Sequence, residues 1–229
     1  MEFYSSEKEQ LEAMRKWWSE NWLYIASGLT LGVVAVVGWN QWQAYVLERA
    51  QKASARYMEM VGAFNVETQP IAEDILAELK TEYASTPYAA DAALYAAAVH
   101  TKKADLESAE RELRWVIAAS PDESKVVLAR IRLARVLNAM SRYQEAIDEL
   151  ANLDGTGFNA QANAIRGDAY VALRDMESAR AAYALSLAQA KPGLLDRELM
   201  QLKLDNLQNS PAVNDTTELV DTESVSDSQ

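Results

Sequence analysis

The chain has 229 residues, with 34 Asp and Glu against 22 Lys and Arg, a net charge of −12, one histidine and no cysteine. So acidic a balance disfavours nucleic acid as a partner, and a chain without cysteine has neither a disulfide nor a thiolate site. Eight glycines and five prolines are scattered among segments rich in Ala, Leu, Glu and Arg, a composition that favours helix throughout.

Residues 1–21 carry Lys8, Arg15 and Lys16 among several glutamates. Trp22 to Trp39 (WLYIASGLTLGVVAVVGW) then run without a charge; Glu20 precedes them and Glu48 is the next charged residue. Eighteen residues at about 1.5 Å each cover about 27 Å, close to the hydrocarbon thickness of a bilayer. Leu23, Ile25, Leu29, Leu31, Val33, Val34, Val36 and Val37 together favour insertion by about 2.5 to 5 kcal/mol. Trp17, Trp18 and Trp22 stand before the run and Trp39, Trp42 and Tyr45 after it, as aromatic belts do at the two interfaces of a spanning helix. A transmembrane helix is therefore predicted over 22–42. A cleaved secretory signal fits less well: its basic n-region is replaced here by an acidic segment, and Trp39 and Trp42 follow directly on the small-residue site at Val36-Val37-Gly38. Arg15 and Lys16 on one flank nearly balance Arg49, Lys52 and Arg56 on the other, so the residues alone leave the side of the membrane open. Gly28 and Gly32 form a small-xxx-small pair that lets a second helix approach, and they are the candidate helix-packing positions of the span.

Beyond the span, apolar residues recur at i, i+3, i+4 and i+7. This period predicts helices near 43–64, 71–84, 88–101, 105–119, 123–140, 143–152, 159–173, 176–190 and 194–208. The first of them continues from the span. Breaks fall at Pro70, Ser85-Thr86-Pro87, Ser120-Pro121, Asp154 to Gly157, and Pro192-Gly193. A repeat runs through these helices. Ala109, Ala146 and Ala179 are 37 and 33 residues apart; Ala97, Ala134 and Gly167 lie twelve residues before them, and Leu113, Leu150 and Tyr183 four after. Small residues let the two helices of a hairpin close up, and the large residue fills the junction with the next hairpin. The reading is an all-α chain: one N-terminal transmembrane helix, then a tetratricopeptide-repeat-like array of helical hairpins over 43–208. Three units are recognisable, at about 90–121, 127–158 and 160–192. Residues 209–229 carry five acidic groups, no basic one and few apolar residues, and are expected to be a disordered tail.

No catalytic constellation emerges. His100, the single histidine, stands at the end of a predicted helix in AAAVHTKK, Gly155-Thr156-Gly157 lacks the lysine of a phosphate loop, and the carboxylates lie beside Arg and Lys on helix surfaces. The expectation is a protein that is not an enzyme and needs no metal or cofactor. What such an array offers is its concave face, lined by the first helix of each hairpin. In the repeat register the inward positions are Asp91, Leu94 and Lys102, then Ile131, Arg135 and Asn138, then Gln161, Asp168 and Val171, a mixture suited to extended polypeptide.

The order of several short segments resembles one family: the YfgM-like ancillary subunits of the SecYEG translocon. These are Glu9, Glu12 and Glu20; Leu31-Gly32-Val33; Gly38-Trp39 with Trp42; Arg132-Leu133-Ala134-Arg135-Val136; Arg166-Gly167-Asp168-Ala169; and Met200-Gln201, Lys203 and Asp205-Asn206-Leu207. The likeness covers residues 1–208, and the acidic tail lies outside it. It implies a short cytoplasmic N-terminus, a helical domain in the periplasm and a place in the inner membrane among its lipids. It also implies association with SecYEG and with a PpiD-like membrane-anchored chaperone, and a chaperone-like part in receiving emerging or unfolded polypeptide. The alternatives are a membrane-tethered regulatory adaptor and an envelope-assembly scaffold.

Overall fold

In the computed structural model of the protein, residues 3–64, 68–151, 153, 157–191, 193 and 195–209 are described. Of the predicted tail over 209–229, Asn209 ends the last helix and the rest lies outside the described residues, as do Asp154 to Thr156 and Pro192. Among the described residues the regular structure is entirely helical: α1 (Phe3–Ala63), α2 (Gln69–Glu82), α3 (Pro87–Lys102), α4 (Leu106–Ala119), α5 (Glu123–Ala139), α6 (Tyr143–Ala151), α7 (Asn159–Ala172), α8 (Met176–Gln189) and α9 (Arg197–Asn209). The chain divides into two compact units, Met1–Tyr95 with Ala119–Pro121, and Ala96–Ala118 with Asp122–Gln229.

The first unit is built on α1, whose 61 residues make one rod of about 90 Å. No break separates the acidic N-terminal segment, the span and the stretch beyond it. Residues Trp22 to Val37 present Trp22, Leu23, Leu29, Leu31, Val33, Val34 and Val37 more than half exposed. None of the described residues covers them, and α1 contains a window of mean hydropathy 1.7 that is wholly unburied. Exposed apolar area on this scale is stable only in lipid. Ser27 and Thr30 donate to the carbonyls of Tyr24 and Ala26, which spares the span two unsatisfied hydroxyls. Past the membrane α1 packs on α2: Ala53 and Met60 are buried on one helix, Ala72, Ile75, Leu76 and Leu79 on the other. Arg56 Nε reaches both carboxylate oxygens of Glu78 at 3.0 Å.

The second unit holds the repeats. Ala109, Ala146 and Ala179 have no exposed surface, and Ala97, Ala134, Leu113, Leu150 and Tyr183 are at most 2% exposed, so the small-large register is the packing register of the hairpins. A further regularity joins the two helices of each hairpin. Ala104, Ser141 and Arg174, each five residues before the register alanine, take positive φ of 59°, 61° and 63°. The N–H of the next residue then closes a six-residue ring onto the helix just ended: Asp105 to His100 O, Arg142 to Leu137 O and Asp175 to Tyr170 O, at 2.8–3.0 Å. This is the Schellman closure, with a non-glycine residue in the left-handed position. Asp105 and Asp175 then cap the second helix, accepting from Ser108 N–H and Ser178 N–H. Arg142 has that place in the middle hairpin and instead bonds Glu110 and Glu145. Helix α9 closes the array on α8, where Met200 and Leu207 join Ala164, Ala179 and Tyr183 in one buried cluster.

Candidate protein-binding groove

The last turns of α3 and α5, both in the second unit, leave a cavity of about 310 Å³ lined by Ala97, Ala98, Thr101, Lys102, Leu113, Arg132, Arg135, Val136 and Ala139. Its floor is apolar because both helices present alanines there, with Leu113 of α4 beneath. Thr101 adds to this, since its hydroxyl donates to the Ala97 carbonyl at 2.7 Å and is spent within the helix. The rim is cationic. Arg132 and Arg135, three apart on α5, stand on one helix face, with Lys102 across from them on α3. Arg132 has a partner of its own, whereas Lys102 and Arg135 are exposed and make no ion pair among the described residues. An apolar floor edged by positive charge fits an extended peptide whose apolar side chains are flanked by carboxylates.

Of the nine positions placed on the inner face from sequence, Lys102 and Arg135 line this cavity. The others are elsewhere. Leu94 and Ile131 are core residues at 6% and 2% exposure, which corrects their placement on an open face: in helices packed on two sides, the register carried them one position round into the junction. Asp91, with Leu94, belongs to the first unit and is half-buried. Asn138 ties α5 to α7, its Nδ2 donating to the Ile165 carbonyl at 3.2 Å. Gln161 is half-buried in the first turn of α7. Asp168 accepts from Tyr183 Oη at 2.7 Å and from Lys203 Nζ at 2.5 Å, and Val171 packs on the closing cluster. These two fasten α9 to the third hairpin and edge a second cavity, also about 310 Å³, with Tyr183, Lys203, Asn206 and Leu207. Burial pushes the Tyr183 phenol well above its usual range, and the Asp168 carboxylate adds to the shift. Thr101, Arg132 and Leu113 were missed as groove residues. The i, i+3, i+4 spacing of Arg132, Arg135 and Val136 was the available signal for Arg132.

Gly28 and Gly32 stand in the span with no atom near the position of a side chain, and with Leu29, Val33, Val36 and Val37 they form a shallow apolar trough. His100 is buried at 3% exposure in the last turn of α3, with Nδ1 3.5 Å from Asp105 Oδ2.

A transmembrane helix carrying a tetratricopeptide-like stack of hairpins, with a groove between successive first helices, defines a membrane-tethered helical-repeat protein. The model of the tetratricopeptide repeat-like domain family matches residues 15–209. A protein of Escherichia coli K12 called "Ancillary SecYEG translocon subunit" is 32% identical over 211 residues, covering 90% of this chain and 99% of that protein. Proteins of the same name from Aggregatibacter actinomycetemcomitans and Haemophilus influenzae are 29% and 30% identical, covering 90% and 89% of this chain and 100% and 99% of their own. The chain belongs to this family of tetratricopeptide-like ancillary translocon subunits. No solved structure matches it.

Proposed function

We propose that the protein is an ancillary subunit of the SecYEG translocon whose repeat array receives polypeptide at the outer face of the inner membrane. The observation that carries the reading is the extent of the likeness: relatives with that name align over almost their entire length, span and repeats together. In this reading residues 1–21 are cytoplasmic and the helical domain is periplasmic. The groove beside Lys102 and Arg135 meets emerging or unfolded chains, and a PpiD-like membrane-anchored chaperone works alongside. The trough at Gly28 and Gly32 is the face offered to a neighbouring transmembrane helix, because glycines let backbones approach where lipid gives no hydrophobic drive for association. Function by binding is in keeping with a family of subunits, and no catalytic role is assigned to any residue.

Because the chain has no native thiol, Arg135→Cys can carry a photo-crosslinker at one defined point. In membranes holding an arrested secretory precursor, the expected products join this position to the precursor, and exposed Gln144→Cys on α6 gives none. A precursor lodged in the channel with no product from position 135 would refute the client reading. Failure of the protein to co-purify with SecYEG would refute the subunit reading.

A further inference from the structure

We infer that the groove lined by Ala97, Val136, Ala139, Lys102 and Arg135 is a docking site for the chain's own acidic segment 210–229, centred on Glu218-Leu219-Val220-Asp221. The chemistry of the two is complementary. The groove has an apolar floor and two exposed cations with no ion-pair partner among the described residues. The twenty residues after Asn209 carry Asp215, Glu218, Asp221, Glu223 and Asp227 with no Lys or Arg, and their apolar pair Leu219-Val220 is bracketed by Glu218 and Asp221. An apolar pair between carboxylates is the pattern that an apolar floor between cations selects.

Geometry permits the contact within one molecule. Arg180, near the start of α8, donates through Nε and Nη2 to the Leu207 carbonyl, so the last turn of α9 lies at the end of the hairpin where α7 finishes and α8 begins. Helix α5 packs on α7, and Asn138, in the last turn of α5, meets Ile165 halfway along α7. The chain thus leaves α9 three interhelical steps from the groove, roughly 25–30 Å at the usual 8–10 Å spacing. Ten residues from Asn209 to Leu219 reach about 33 Å when extended. The segment therefore reaches the groove when extended, and the tether makes the contact intramolecular. The family match ends at residue 209, so the segment lies outside the shared domain. Docking stands on these observations alone. Its consequence, that the segment competes with incoming polypeptide for the groove, rests on the function proposed above.

The test uses the full-length chain with paired cysteines and a short bismaleimide crosslinker at high dilution. Ala139→Cys with Val220→Cys is expected to crosslink within the molecule several-fold more than Gln144→Cys with Val220→Cys, and high salt should erase the difference. Lys102→Glu with Arg135→Glu should abolish the preference, and adding Glu218→Lys with Asp221→Lys should restore it. That restoration excludes a folding defect as the cause of the loss. Equal crosslinking at positions 139 and 144, or failure of the charge swap to rescue, overturns the inference; a product joining two molecules assigns the groove to a second copy and overturns it equally. Client crosslinks from position 135 are read separately: if docking alone is wrong they persist unchanged on deleting 210–229, and if both readings hold they rise several-fold.

Discussion

Gly167 of α7 and Tyr183 of α8 lie in direct contact: a Cβ built on Gly167 would fall 2.3 Å from Cε1 and 2.5 Å from Cδ1 of the tyrosine ring. The ring cannot move aside cheaply, since it is 2% exposed and its hydroxyl is bound to Asp168. Gly167→Ala should therefore destabilise the domain. Overpacking costs about 1–3 kcal/mol, and the better helix propensity of alanine returns about 1 kcal/mol. A net loss of up to about 2 kcal/mol, read as a lower urea midpoint by far-ultraviolet circular dichroism, is expected. Tyr183→Leu in the Gly167→Ala background should recover part of it, because the clash is with the ring.

The same tyrosine predicts an alkaline limit. Burial first, and then the hydrogen bond and charge of Asp168, raise its phenol above the ordinary value near 10. A folded-state pKa above the unfolded one contributes stability in full below about pH 10, and that contribution fades as pH rises past it. Thermal midpoints taken between about pH 8 and 11 should fall more steeply for the wild type than for Tyr183→Phe, the two curves converging at the alkaline end.

Arg142 sets an acid limit in the middle hairpin. Burial works against the ionised Glu110, but hydrogen bonds from Arg114 and Arg142 outweigh it and hold this carboxyl below its usual range. The Arg142 hydrogen bond does the same for Glu145. Depressed carboxylates contribute stability above the ordinary pKa of about 4.3, and it is lost as pH falls below that value. Arg142→Gln should lower stability at neutral pH, and its difference from the wild type should narrow as pH falls below about 4, where the two carboxyls become protonated in both proteins. Coincident acid titrations of variant and wild type would count against the network.

The left-handed residues of the three hairpin turns provide a stabilising change. Ala104 at φ 59° pays the steric cost of a Cβ in the left-handed region, about 1–2 kcal/mol, against the smaller entropic cost of glycine. Ala104→Gly is expected to raise stability by about 0.5–1 kcal/mol in the urea midpoint, whereas Ala109→Gly, in the helix interior, should lower it.

In the first unit, Leu79 has no exposed surface at the contact of α2 with α1. Leu79→Ala should cost about 2–5 kcal/mol through the cavity it leaves. Proteolysis should then release residues around α2 while the protein stays with the membrane on carbonate extraction, since the span of α1 takes no part in that contact.

Much of this protein is determined by side-chain period alone. The uncharged run at Trp22 to Trp39 prescribes a bilayer-spanning helix because no charge can be left in hydrocarbon, and the predicted helix limits fall within a few residues of those observed. Ala109, Ala146 and Ala179 with their small and large partners give the hairpin register, since close packing imposes on sequence the spacing it needs in space. The positive-φ turns left no such mark: Ala104, Ser141 and Arg174 are ordinary residues held left-handed by the ring closures around them. Leu94 and Ile131 were misplaced because adjacent helix positions differ by only 100° and several faces are buried at once. Only the tertiary structure brought Leu113 beneath Ala97 and Val136, turned Asn138 onto Ile165, and set Lys203 against Asp168 thirty-five residues away. Those pairings depend on how whole hairpins stack, and stacking is settled by contacts between helices that no local period records.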